Sequence, residues 1–305
     1  MTSLHYPSLL HRAVSTPWAI EEQKLHEIVG FLSAKASGTA PDAVFDDRAE
    51  EPAPVQRGTT RVIPVMGTLS LRAGSLARSS GVVSAETLGR EIDQAAADRS
   101  VETILLHIDS PGGAVSGIEE LAAKVRAATN EKRVVAFANA TAASAAYWIA
   151  SQADEIVVTP SGRVGSIGVI AIHQDVSAAL QKKGVAVTVI KAGAHKGEGH
   201  PFGPLSDEDQ AAFQARVDHG YASFVDAVAR GRDVSPAAVR SGFGQGRIVL
   251  AHEAVQLGMA DRVATFDELF APVGAKQGNS MAAQSRDEFL SHLATEIRNT
   301  AEALR

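Results

Sequence analysis

The sequence predicts an α/β protein with a core of parallel strands and right-handed crossover helices. Short apolar, β-rich runs alternate with helix-forming runs from residue 61 onward, and alternation at this spacing argues for a parallel sheet. A glycine-containing turn, Asp109-Ser110-Pro111-Gly112-Gly113, separates one such strand from the next helix. The run 133–137 (RVVAF) leads into small residues at 138–147 (ANATAASAAY), and a helix-forming run leads out at 145–153. Ser144 stands at that changeover.

Taken in order, residues 1–38 read as a helical segment, with Leu25, Ile28, Val29 and Leu32 at roughly helical spacing. Residues 39–60, rich in Gly, Pro, Ala and charge, read as a flexible linker. A first strand covers 62–65, and Pro64 within it suggests an edge. Ser84 can cap a helix over 84–97, with Thr87 where a full capping box has Glu or Gln. A buried strand at 101–108 precedes the glycine turn. A helix at 115–128 follows, with Ile118, Leu121, Ala122 and Val125 on one face. After the Ser144 helix come a strand at 155–159 and an extended stretch at 164–173. A short helix spans 176–183, with Asp175 as a candidate cap, and 185–190 (VAVTVI) reads as a strand. Ser206 caps a long helix that ends near 232, with Asp209 three residues on. Residues 234–264 are mixed, with a helix at 251–257. The main domain thus spans 61–270. Residues 271–305 are a polar tail with a terminal amphipathic helix at 289–304.

A chain of 305 residues has ample core. Its net charge is −6 and its basic residues are scattered, so no nucleic-acid surface is expected. The absence of cysteine excludes disulfides, thiolate catalysis and Cys-ligated metals, and fits a reducing compartment. The N-terminus lacks a basic start followed by an apolar core, so no signal peptide is read. Residues 134–153 are uncharged and long enough for a membrane span. Their Ala content, their Asn, Thr, Ser and Gln, and the strand-to-helix switch read instead as buried core of a soluble, cytoplasmic protein.

A serine on a strand-to-helix turn is held rigidly near the positive end of the new helix, and small neighbours allow close approach. That suits a nucleophile; a simple helix cap is the plainer alternative. The glycine turn lies at the C-terminal end of a strand, where ligands of open α/β sheets sit. Its backbone N–H groups could point at an anion, as an oxyanion hole requires; alternatively the turn needs glycine only for positive φ. Lys196 lies in the loop 192–202 (AGAHKGEGHPF). A lysine serves as general base only when neutral, which a dry apolar site favours. Ser166 could hold its amine, as the third member of a triad does. Histidine alternatives are His107, His195 and His200; His107 falls within a buried strand pattern near Asp109. A metal site from His195, His200 and Glu198 is weaker, because nothing rigid fixes that loop.

The motifs occur in one order: Ile108-Asp-Ser-Pro-Gly-Gly113, Thr141-Ala-Ala-Ser-Ala-Ala-Tyr147, Ala153-Asp-Glu-Ile156 and Gly165-Ser-Ile-Gly-Val169. Lys196 with Pro201-Phe202 follows, then Gly246-Arg-Ile-Val249 with Ala254, Leu257 and Gly258. Over residues 61–270 this series resembles the signal peptide peptidase A family of serine proteases, relatives of the Clp protease subunit and the crotonase superfamily. The resemblance implies a Clp protease/crotonase-like fold and acyl-enzyme peptide hydrolysis without metal or cofactor. It implies Ser144 as nucleophile, Lys196 as general base and Ser166 as the residue positioning the lysine. The N–H groups of Gly113 and Ala145 would form the oxyanion hole. It further implies homo-oligomeric rings that admit only unfolded or extended polypeptide.

Two departures stand out. Family members often carry glycines after the nucleophile, where this chain has Ala145 and Ala146. Membrane-bound members have an anchor, and no span is read here. Anchorless relatives occur in bacteriophages and prophages, where they resemble head-maturation proteases that trim scaffold or portal-associated proteins. The expectation is therefore capsid maturation in the host cytoplasm or within proheads. The alternatives are cellular protein degradation, a non-catalytic head protein of the same fold, and an acyl-CoA enzyme.

Overall fold

A computed structural model describes residues 17–37, 53–73 and 81–270. The main sheet is built on β6 (Thr103–Ser110) and β8 (Arg133–Ala143), paired in parallel. β3 (Thr60–Met66) continues the parallel pairing beyond β6, and β2 (Val55–Arg57) closes that side as an antiparallel hairpin. β2 and the first residue of β3 thus fall within the stretch 39–60 expected as a linker. Pro64 lies beyond the last residue that β2 pairs, so its missing N–H costs no ladder bond on that side.

β8 is longer than the five residues its apolar run suggested, and it changes partner along its length. Val135 to Ala138 pair with β9 (Glu155–Val158), whereas Thr141 to Ala143 pair with β10 (Arg163–Gly165). Between the halves Ala140 takes φ 85°, and the β6–β8 register slips between Ile108 and Ser110. An extra residue at a bulge bends a strand. Here the bend turns the last residues of β8, and Ser144 after them, away from β9 towards β10.

A second sheet takes over where β6 ends. After Pro111 the chain continues as β7 (Gly112–Ala114), so the expected turn at 109–113 is a strand corner between two sheets. β7 pairs in parallel with β4 (Thr68–Ser70), which pairs with β5 (Val82–Ser84). On its other edge β7 pairs antiparallel with β1 (Trp18–Ile20). The N-terminal helix α1 (Glu22–Ser37) forms as expected, but a strand precedes it and ties that segment to the core.

The helices follow their sequence signals. Ser84 Oγ accepts from Thr87 N–H at the start of α2 (Ala85–Ala97). α3 (Ile118–Ala128) buries the expected stripe of Ile118, Leu121, Ala122 and Val125. All of α4 (Ala145–Ala150) is buried, so the uncharged run 134–153 is core strand and core helix. Among the described residues no helix is long and apolar enough to cross a membrane. α5 (Ser177–Lys182) starts beside Asp175, whose carboxylate accepts from Ser177 N–H. Ser206 caps α6 (Asp207–Gly231), and Ser235 caps the unanticipated α7 (Pro236–Gly242), which has proline in its first turn. After β11 (Ile248–Leu250) comes α8 (Ala251–Gln256), then β12 (Arg262–Val263) beside β9. Residues 266–270 are a short helix, α9 (Phe266–Phe270), in a separate unit. The terminal helix expected at 289–304 lies outside the described residues.

One expected strand does not form. Residues 185–190 take no regular secondary structure, and Val185, Val187, Val189 and Ile190 are exposed. β-branched alternation fits a pleated surface, but strand formation needs a partner edge, which the described residues do not supply.

α4 and the turn after it are anchored to α6 and to Met259. The Trp148 ring stacks on Phe224 of α6 at 4.7 Å between centroids. Tyr147 Oη donates to the Met259 carbonyl at 2.8 Å, and burial raises that phenol's pKa. Gln152 Nε2 donates to the Ala227 carbonyl. Burying a large side chain contributes about 1.5–3 kcal/mol, so this short helix is held by packing rather than by its six residues' propensity.

Arg232, at the end of α6, forms a fork with Asp261 at 2.7 and 3.0 Å, and the same carboxylate accepts from Ile156 N–H. Partial burial works to raise the Asp261 pKa, but the Arg232 and Ile156 hydrogen bonds outweigh it and hold the carboxyl below its ordinary value. A depressed carboxylate pKa adds stability that is present above the unfolded pKa and lost as pH falls through the folded one. Because the Asp261 carboxylate is partly exposed and screened by solvent, Asp261→Asn should cost about 1 kcal/mol near neutrality. The gap to wild type should shrink in acid. Thermal melts of the two proteins at pH 7 and pH 3 check this; a gap that widens in acid would contradict it.

Candidate active site

Ser144 ends β8 and starts α4. Its backbone sits at φ 54°, ψ −118°, a combination rarely adopted by non-glycine residues and costing about 1–3 kcal/mol. Its position is fixed on both sides: Ser144 N–H donates to the Gly165 carbonyl at 2.7 Å, and its carbonyl accepts from Trp148 N–H at 2.9 Å. The side chain is fully buried, yet Oγ has no hydrogen-bond partner among the described residues. A capping serine would spend its hydroxyl on the helix N–H groups. Ser144 does not, so the plain helix-cap reading is not what the structure shows. A serine on a strained strand-to-helix turn has the backbone placement of a nucleophile elbow, and no base is hydrogen-bonded to its Oγ among the described residues.

The glycine strand faces it. A Cβ on Gly112 would lie 2.9 Å from Ser144 Cβ, so only glycine admits the serine this closely. The neighbouring Ser110 is buried; its Oγ donates to the Gly67 carbonyl at 2.6 Å and accepts from Gly112 N–H at 3.2 Å. That bond takes up the Gly112 N–H and leaves Gly113 to supply the next one. Ala145 opens α4, and the first N–H groups of a helix have no intrahelical acceptor. Gly113 thus follows Gly112 in β7, and Ala145 follows Ser144 at the start of α4. Ser110, which locks this corner, carried no separate signal in the sequence.

Ser166 is beside Ser144. Gly165 pairs with Ala143, and Ser166 follows it with φ 54° and its side chain largely buried. Its N–H donates to the Arg247 carbonyl, and Gly165 pairs with Ile248. The motif Gly246-Arg-Ile-Val249 therefore acts as the clamp that holds β10 and Ser166 in place.

Lys196 is not brought to Ser144. It lies on an exposed loop, its N–H donating to the Gly193 carbonyl at 3.2 Å. Its neighbour His195 pairs with Glu198 at 2.6 Å. His200 Nδ1 accepts from Phe202 N–H. His107 Nε2 is 3.0 Å from Asn139 Nδ2, and its ring lies against Phe137. Burial lowers the His107 pKa, against the pull of the Asp109 carboxylate. Among the described residues no histidine is hydrogen-bonded to Ser144 Oγ.

These features define an α/β protein with a strained, buried serine at the start of a helix and a glycine strand beside it. Comparison with known proteins specifies the family. Residues 126–278 match the model of peptidase family S49, and the chain belongs to that family. The match takes in Ser144, Ser166 and Lys196. The capsid assembly protease C of Escherichia phage lambda is 35% identical over 202 residues, covering 66% of this chain and 46% of that protein. The head-tail preconnector protein GP5 of Enterobacteria phage P21 is also 35% identical over 202 residues, covering 66% of this chain and 40% of that protein. Protease 4 of Haemophilus influenzae is 30% identical over 184 residues, covering 60% of this chain and 30% of that protein. The chain matches less than half the length of each of these three relatives.

Proposed function

We propose that the chain is a serine endopeptidase that cuts extended polypeptide through an acyl-enzyme. The observation that carries this reading is Ser144: strained, buried, without a hydrogen-bond partner at Oγ among the described residues, and beside the glycine strand. Ser144 Oγ attacks the peptide carbonyl as Lys196 takes its proton. The Gly113 and Ala145 N–H groups hold the oxyanion. Protonated Lys196 then gives its proton to the leaving amine, and water hydrolyses the ester. Ser166 positions the lysine amine, a role its place beside Ser144 supports.

Proton transfer needs a heavy-atom distance of about 2.6–3.2 Å. Lys196 must therefore be delivered to Ser144, by movement of the 191–202 segment or from a second copy of the chain. The exposed apolar run at 185–190, just before that segment, favours delivery with assembly, since covering it would bury Val185, Val187, Val189 and Ile190. The phage relatives named for capsid assembly and preconnector roles favour a substrate among phage head proteins, in the host cytoplasm or the prohead.

Hydrolysis of casein tests the dyad. Lys196→Ala should lower the rate by at least about 10³-fold, with a larger effect on kcat than on KM, because the base acts in the transition state. Full activity of Lys196→Ala would remove lysine as the base.

A further inference from the structure

We propose that the bond between Ala19 and Ile20 is a self-processing site, presented to Ser144 by the chain's own N-terminal strand. The inference rests on the peptidase reading above.

β1 lies in the cleft as a bound polypeptide would. One edge pairs antiparallel with β7, matching Trp18 to Ala114, Ala19 to Gly113 and Ile20 to Gly112. On the other edge Trp18 and Ile170 exchange both backbone bonds, each at 2.8 Å. Strand addition of this kind is how an extended peptide gains main-chain hydrogen bonds.

The ladder selects one carbonyl. Val115 N–H donates to the Pro17 carbonyl, and Glu21 N–H donates to the Pro111 carbonyl. Antiparallel pairs that exchange bonds alternate with pairs that do not. Two residues in from each of those bonds, Ala19 and Gly113 are the exchanging pair, so the Ala19 carbonyl accepts from Gly113 N–H, a proposed oxyanion donor. The Trp18 carbonyl points to Ile170 instead, and the Pro17 carbonyl is taken by Val115.

Ser144 and the Ala19 carbonyl both border Gly112. A Cβ on Gly112 would lie 2.3 Å from the Ala19 carbonyl oxygen and 2.9 Å from Ser144 Cβ. Any side chain at Gly112 would push both groups away, so the bare glycine is what keeps them on either side of one residue. Ala19, Ile20 and Ser144 are all buried, so the strand fills the site and excludes another polypeptide.

The chemistry balances with water alone. Ser144 Oγ bonds to the Ala19 carbonyl carbon, and its proton passes through the base to the Ile20 nitrogen as the carbon–nitrogen bond breaks. Water hydrolyses the Ala19 ester. The products are a chain ending in the Ala19 carboxylate and a chain beginning with the Ile20 amine. Until that cut the cleft is closed, so self-processing precedes cleavage of other substrates.

The test follows the intact mass and N-terminal sequence of full-length protein, with casein hydrolysis measured in parallel. Wild type should lose residues 1–19 and begin at Ile20, whereas Ser144→Ala should keep its N-terminus. Tagged Ser144→Ala mixed with active wild type should also stay intact at that bond, because its strand is seated in its own cleft. Wild type that cuts casein yet keeps Ala19 joined to Ile20 would overturn the proposal and leave the peptidase reading standing. Trimming of Ser144→Ala at this bond, alone or by added wild type, would overturn it too. If neither casein nor the chain is cut, both readings fall.

Discussion

Replacing Ser144 by glycine is expected to abolish peptide hydrolysis and to stabilise the fold. Ser144 holds φ 54°, ψ −118°, which costs a side-chain-bearing residue about 1–3 kcal/mol. Glycine adopts positive φ without that penalty. The substitution also removes a buried hydroxyl that has no hydrogen-bond partner among the described residues. Against this, glycine loses about 0.5–1 kcal/mol through the greater freedom of the unfolded chain. The balance is a gain of about 1 kcal/mol, or about 2–4 °C in Tm. Activity should fall by about 10⁵–10⁶-fold, as when a triad nucleophile is removed. Ser144→Ala should lose the same activity without the gain from relieved strain. A melt in which Ser144→Gly unfolds below wild type would show that the turn is not a strained one.

Gly113→Ala should damage both stability and catalysis. A Cβ there would sit 1.9 Å from the Leu69 carbonyl oxygen, inside the β4–β7 pairing. That neighbour is backbone, so the strands must separate, at a cost of about 3 kcal/mol or more. The shift would also move the Gly113 N–H off the carbonyl it is proposed to hold, and loss of one such donor costs about 10²–10³-fold in kcat. Gly168→Ala is the matched control, because nothing lies within 4 Å of a Cβ at that position. It should melt within a degree or two of wild type. Equal melts for Gly113→Ala and Gly168→Ala would contradict the account of this corner.

Where a signal is local, the sequence shows it. Ser84 and Ser206 announce the helices they cap, and each makes the expected side-chain bond. The buried stripe of α3 follows from its 3.6-residue period. Ser144 was legible because a β-rich run, small residues and a helical run meet there. What was not legible depends on pairing across long stretches of chain. Nothing in Trp18-Ala-Ile announces a strand, because only the edge of β7 makes it one. The bend at Ala140, which swings Ser144 towards β10, arises where β8 exchanges β9 for β10. The run 185–190 errs in the opposite sense: its β propensity is plain, but no partner strand lies beside it. The separation of Lys196 from Ser144 is likewise invisible to motif order, which fixes residue types and not distances.

The most direct test of the central claim is to trap the acyl-enzyme. Wild type and Ser144→Ala are mixed with a nitrophenyl ester of an acetylated dipeptide, quenched in acid and weighed intact. Wild type should gain the mass of one acyl group, mapped to the peptide that contains Ser144, and Ser144→Ala should gain none. Ester turnover that continues undiminished in Ser144→Ala, or an adduct on another residue, would contradict the assignment of Ser144 as the nucleophile.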